Sequence, residues 1–184
     1  MPYSPKCVEG EFSEVATSSK LCYIGREHSG GECARERKVR FMSTEENKAL
    51  ARREIEEVFS AKGNLDAADE IYAPNYISHQ PAGQDDIRGL EALKELAAGI
   101  RQASPDSETI IEDQIAEGDK VVTRFTSRGT HQGELWGIPA TGRKVEVRSV
   151  STNRIEGGKI VEHWTSVDRL GMMQQLGVIE QPAG

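Results

Sequence analysis

Between residues 46 and 176 the apolar positions change period once, and that change sets the expected order of elements. Ala51, Ile55, Val58 and Phe59 recur at i, i+4, i+7 and i+8, the spacing of one stripe on an amphipathic helix. Ser43 and Glu46 form a capping-box pattern at its start, and Gly63 with Asn64 stops it after about Lys62. Asp66 is placed to cap a short second helix carrying Ala68, Ile71 and Tyr72, which Pro74 ends before an irregular stretch from Asn75 to Pro81. Leu90, Leu93, Leu96, Ala97 and Ile100 make the stripe of a third helix, closed by Ser104 and Pro105.

After Pro105 the pattern alternates, which predicts strands over 108–116, 120–131, 143–156 and 159–168. Gly118-Asp119 joins the first pair and Gly157-Gly158 the last, while Gly137 to Gly142 is a longer link containing Pro139. A short apolar helix is expected from Leu170 to Leu176. Helices first and strands afterwards predict an α+β domain, with helices packed on one face of a curved antiparallel sheet whose concave side encloses a pocket.

Length and charge narrow the function. A chain of 184 residues fits one globular unit, and its net charge of -7 advertises no basic face for nucleic acid or anionic lipid. No apolar run approaches the roughly 20 residues of a membrane span, and the N-terminus lacks a secretory signal. The expectation is a cytoplasmic protein with neither nucleic-acid nor membrane partners. Cys7, Cys22 and Cys33 all precede Met42, and with His28 they match none of the paired spacings of a structural zinc site. Residues 1–41 therefore read as a poorly structured extension with free thiols, Met42 as an alternative or true start, and 42–184 as the functional domain.

Three histidines in that domain carry the candidate chemistry. On the last strand, period two puts Val161, His163, Thr165 and Val167 on one face and Glu162, Trp164, Ser166 and Asp168 on the other. If the pocket lies on the first face, His163 is a general acid or base; otherwise it is a histidine hydrogen-bonded within the sheet. Asp168 is placed to cap the following helix, with a catalytic role as the alternative. His131, between Gly129-Thr130 and Gly133, suggests a bulge that re-aims its side chain, and His79 belongs to the irregular stretch, either over the pocket mouth or solvated. Ser149, Ser151 and Asn153 alternate after Val145 and Val147, small polar groups on a face that begins apolar. Trp136 and Trp164 read as core or rim packing. No histidine has a second ligand at i, i+3 or i, i+4, and no glycine pair opens a phosphate-binding helix, so neither a metal nor another cofactor is expected.

Several strings, in order, resemble the SnoaL-like polyketide cyclase (ester cyclase) group of the NTF2-like superfamily: Ala73-Pro74-Asn75-Tyr76, Gly129-Thr130-His131-Gln132-Gly133-Glu134, Gly137 to Gly142, Arg154 to Trp164, and Gln175-Leu176-Gly177. The likeness spans nearly all of 46–179. It implies a cone-shaped α+β barrel closed by helices over an apolar pocket, a homodimer, a small hydrophobic ligand, and cofactor-free acid/base chemistry such as cyclisation, isomerisation or hydration of a polyketide-like carbonyl compound. The family's catalytic aspartate would fall at Thr165, its glutamine and histidine on the preceding strand at Ser149 and Ser151, and its early-loop asparagine at Ser78. On this reading His163, Asp168, His131 and His79 are the catalytic candidates, and Ser78, Ser149, Ser151, Thr165 and Trp136 the substrate-contacting ones. A non-catalytic ligand-binding or scaffold protein of the same superfamily is the alternative, and a cofactor-free hydroxylase a third.

Overall fold

The computed structural model describes residues 42–180, so the expected extension at 1–41 and its three cysteines lie outside the described residues. Ser43 closes the capping box over α1 (Thr44–Arg53), accepting from the Glu46 amide while the Glu46 carboxylate accepts from the Ser43 amide at 2.8 Å. The helix then widens into a π-helical turn, Glu54–Phe59, rather than running on to Lys62. Arg101 holds this wider end: its guanidinium donates to the carbonyls of Glu57, Val58 and Gly63. Gly63 permits the approach, since a Cβ there would stand 2.0 Å from the Glu57 carbonyl oxygen.

A 3-10 turn, Leu65–Ala67, is capped by Asn64, not Asp66: the Asn64 side chain accepts from the Asp66 amide. It leads into α2 (Ala68–Ile71) and directly into β1 (Tyr72–His79). The stretch expected to be irregular is thus a strand containing Pro74. Proline is tolerated because β1 pairs in parallel with the last strand at Tyr72 and again from Ile77, and the register breaks between them. Alternation was hidden by this break and by two tyrosines that read equally well as helix.

β2 (Ile87–Arg88) is a short edge strand, and α3 (Leu90–Ala103) follows as the sequence predicts. β3 (Glu108–Glu117), β4 (Lys120–Thr130), β5 (Lys144–Glu156) and β6 (Lys159–Val167) form an antiparallel meander close to the expected bounds, and α4 (Arg169–Leu176) ends the fold. The sheet order is β2-β1-β6-β5-β4-β3. Its two outer strands do not pair with each other, so the sheet is open rather than a closed barrel. The core joins Leu50, Ala51 and Val58 of the first helix to Ile71, Tyr72, Leu93, Val121, Ile155 and Ile160. Each of the larger aliphatic side chains contributes about 1.5–3 kcal/mol by leaving water.

Candidate active site

The first helical stripe contains a residue that its apolar neighbours conceal. Glu54 stands four positions after Leu50 and four before Val58, and only 1% of its surface is exposed. Its carboxylate is met from three sides. Tyr72 Oη donates to Oε1 at 2.8 Å, Asn153 Nδ2 donates to Oε2, and His163 Nδ1 lies 3.2 Å from Oε1. Because the Asn153 amide nitrogen is turned to Glu54, its Oδ1 faces His163 Nδ1 at 2.7 Å and can only accept. The neutral imidazole therefore carries its proton on Nδ1. Nε2 is left with a lone pair, 2.9 Å from Thr165 Oγ1.

The register explains why these groups meet: Asn153 is directly opposite His163 and Ser151 directly opposite Thr165 across β5 and β6. Ser149 and Ser151 are buried on the same face, and Ser78 of β1, also buried, accepts from Gln80 Nε2 at 3.0 Å. All three serines, with Glu54, His163 and Thr165, line a cavity of about 390 Å³. Ile55, Phe59, Leu96, Ile100, Val147 and Met172 supply apolar wall from helices and sheet. The arrangement offers a hydrogen-bonded imidazole beside hydroxyl donors in a mostly apolar cavity, which suits moving a proton next to a carbonyl.

Beneath Glu54, Tyr72 and Tyr76 pack edge to face with centroids 4.7 Å apart. Burial, and then the neighbouring Glu54 carboxylate, push both phenols well above the ordinary tyrosine value. The folded protein thus holds these protons where the unfolded chain releases them near 10.0. Above that pH the unfolded state binds fewer protons than the folded one, so stability falls as pH rises. Equilibrium urea unfolding is expected to give a level midpoint to about pH 9 and a falling one beyond 10. In Tyr76→Phe, the alkaline slope should be shallower.

The remaining candidates are placed differently. His131 is not at a bulge: β4 ends at Thr130, and His131 continues the ladder by donating to the Arg143 carbonyl before a loop begins. Gln132 and Gly133 amides dock that loop on the Ala103 carbonyl, where a Cβ on Gly133 would stand 2.6 Å from the Gln102 oxygen. His131 is 2% exposed and lines the same cavity. Trp136 also borders the cavity, on a tight turn at φ 51 with Arg169 stacked 4.6 Å from its ring centroid. His79 is not free in solvent: its ring stacks on Trp164, with Nδ1 3.5 Å from Asp86 and Nε2 3.6 Å from Glu162. Asp168 is exposed outside this cavity and accepts from the Gly171 amide at 2.9 Å, capping α4. Glu54, Tyr72 and Tyr76 escaped the sequence reading. The available signal for Glu54 was a carboxylate on the apolar stripe.

An open six-stranded sheet with helices packed over a mostly apolar cavity is an α+β arrangement of the NTF2-like fold. Residues 49–176 match the SnoaL-like polyketide cyclase family, and the chain belongs to that family. It is 32% identical to aklanonic acid methyl ester cyclase DnrD of Streptomyces peucetius over 70% of this chain and 88% of that protein. It is 30% identical to nogalonic acid methyl ester cyclase of Streptomyces nogalater over 62% and 87% respectively. A SnoaL-like polyketide cyclase structure from Jannaschia sp. CCS1 superposes with a TM-score of 0.68 at 23% identity, over 83% of this chain and all of that one, a likeness of fold. Among the described residues no helix is long and apolar enough to cross a membrane.

Proposed function

We propose that the protein is a cofactor-independent acid/base enzyme that cyclises or isomerises a small, polyketide-like carbonyl compound. The observation that carries this reading is His163, whose Nδ1 is held by Asn153 and Glu54 while Nε2 keeps a lone pair beside Thr165 in the cavity. In the proposed reaction Nε2 takes the proton from the carbon next to a carbonyl. Thr165 turns its hydroxyl from Nε2 toward the developing enolate oxygen, assisted by Ser149 or Ser151. The enolate carbon attacks a second carbonyl of the same molecule, one C–H bond is exchanged for a C–C bond, and the new alkoxide takes the proton back from the imidazolium. Atoms balance without an oxidant or reductant. Glu54 offsets the positive charge that His163 carries between the two proton transfers.

Thr165 stands where the resemblance puts an aspartate base, and in this proposal the base has moved two residues back along the same strand face, to His163. His131, His79 and Asp168 are then not acid/base groups of the step.

The test is incubation in D₂O with aklanonic and nogalonic acid methyl esters and simpler aryl diketones, followed by mass spectrometry and chromatography. Deuterium uptake next to a carbonyl, or a product isomer, that wild type gives and His163→Ala lacks is the expected result. Ligand retention without exchange or isomer in any compound would favour a binding protein instead.

We also propose a homodimer, formed through the outer sheet face where Ile110, Ile115 and Val150 are exposed. Sedimentation equilibrium should return twice the chain mass, and Val150→Asp should shift it toward the single chain.

A further inference from the structure

The contacts that leave His163 Nε2 with a lone pair also line up a nucleophile. With the ring proton on Nδ1, Nε2 can only accept, so Thr165 Oγ1, 2.9 Å away, donates its hydrogen to that nitrogen. On the other side of the ring, Nδ1 is met by Asn153 Oδ1 at 2.7 Å and by the Glu54 carboxylate at 3.2 Å. Acceptor oxygens, imidazole and hydroxyl thus follow one another within hydrogen-bond reach. An activated hydroxyl is recognised by that geometry and not by its spacing in sequence, and a carboxylate or an amide oxygen serves as the group that orients the imidazole.

The relay runs from the interior to the cavity. Glu54 and Asn153 are buried and tied to each other, and Glu54 is tied to Tyr72 as well, whereas Thr165 is only half-buried and lines the cavity. Ser151 stands directly across from Thr165 on β5, with Ser149 two positions along, and both belong to the cavity wall. A serine hydroxyl rotates freely enough to donate to a carbonyl oxygen attacked at Thr165. The apolar wall from Ile55, Phe59, Leu96 and Ile100 suits a hydrocarbon-rich acyl group.

We infer that Thr165 is a nucleophile and that the site has a second activity, hydrolysis of esters of hydrophobic acids through an acyl-threonine intermediate. Thr165 Oγ1 bonds to the acyl carbon as its proton passes to His163 Nε2, and Ser151 or Ser149 donates to the tetrahedral oxyanion. Collapse breaks the bond to the alcohol oxygen, which leaves with the proton from Nε2. Water then gives a proton to Nε2, attacks the acyl carbon and frees the acid, and Thr165 takes the proton back. One ester and one water become one acid and one alcohol. This rests on the relay and the cavity, not on removal of a proton from carbon.

The full chain is mixed with 4-nitrophenyl hexanoate, nitrophenolate release is followed, and acid-quenched samples are mapped by peptide mass spectrometry. An early burst of nitrophenolate and a hexanoyl group on Thr165 are expected. Thr165→Val should remove both, Thr165→Ser should keep both, and His163→Ala should slow acylation by about a hundredfold or more. Circular dichroism of each variant confirms that it is folded. Slow acylation of surface lysines is the same in all four proteins and is subtracted by the map. No release above the rate in buffer, no hexanoyl group on Thr165, or the group on His163 overturns the inference. Deuterium uptake next to a carbonyl is read separately in wild type, so either activity can fail while the other stands.

Discussion

His163→Ala is expected to lower turnover by about a hundred- to ten-thousandfold, the usual contribution of a positioned general base. The expectation follows from how completely the ring is held. Asn153 and Glu54 fix one nitrogen and Thr165 meets the other, so no rotation or tautomer change is needed before Nε2 accepts a proton. The loss should fall on kcat with KM nearly unchanged, because the apolar wall and Ser149 and Ser151 still receive the ligand. Steady-state kinetics on whichever compound shows exchange reads this directly. A comparable loss in Thr165→Val would mean that the hydroxyl is as important as the ring. A Thr165→Val variant within about tenfold of wild type would assign Thr165 to orientation alone.

The meander and its turns were legible because period two survives where one sheet face is buried: Val145, Val147, Ser149, Ser151 and Asn153 fall on the pocket side as the alternation requires. The third helix was legible for the same kind of reason, an unbroken stripe between clear stops. β1 was not, since its parallel pairing is interrupted around Pro74 and its inward residues are tyrosines that serve helix and strand alike. His163 and the serines could be placed on one strand face, but nothing local said that a carboxylate from the first helix would reach them. Glu54 and Asn153 are 99 residues apart in sequence. Such a pairing is decided by how the helix crosses the sheet, and the sequence hint was only that a charged residue occupied a position where the helical stripe called for an apolar one. Asp168 shows the reverse, a residue whose local capping signature accounted for it fully.

That same remote pairing makes Glu54 the position where stability and chemistry are most tightly joined. Glu54→Ala is expected to destabilise the fold by about 3–5 kcal/mol, because the buried Tyr72 Oη and Asn153 Nδ2 would both lose their charged acceptor. Against a typical domain stability of about 5–15 kcal/mol this moves the urea midpoint strongly and leaves little margin at 37 °C. Glu54→Gln keeps the shape and one acceptor oxygen, so it should cost only about 1–2 kcal/mol. Its amide cannot accept from both Tyr72 and Asn153, and it carries no charge to balance the imidazolium. The folded Gln variant is therefore expected to lose turnover by tenfold or more at little change in KM, a charge effect of about 1.4 kcal/mol or more. A Gln variant with wild-type kcat would leave Glu54 as a purely structural acceptor. A lowered kcat in a protein whose urea midpoint is nearly native would show that the carboxylate acts on the reaction, through its charge or through the orientation it gives Asn153 and His163, and so separates that role from its part in the fold.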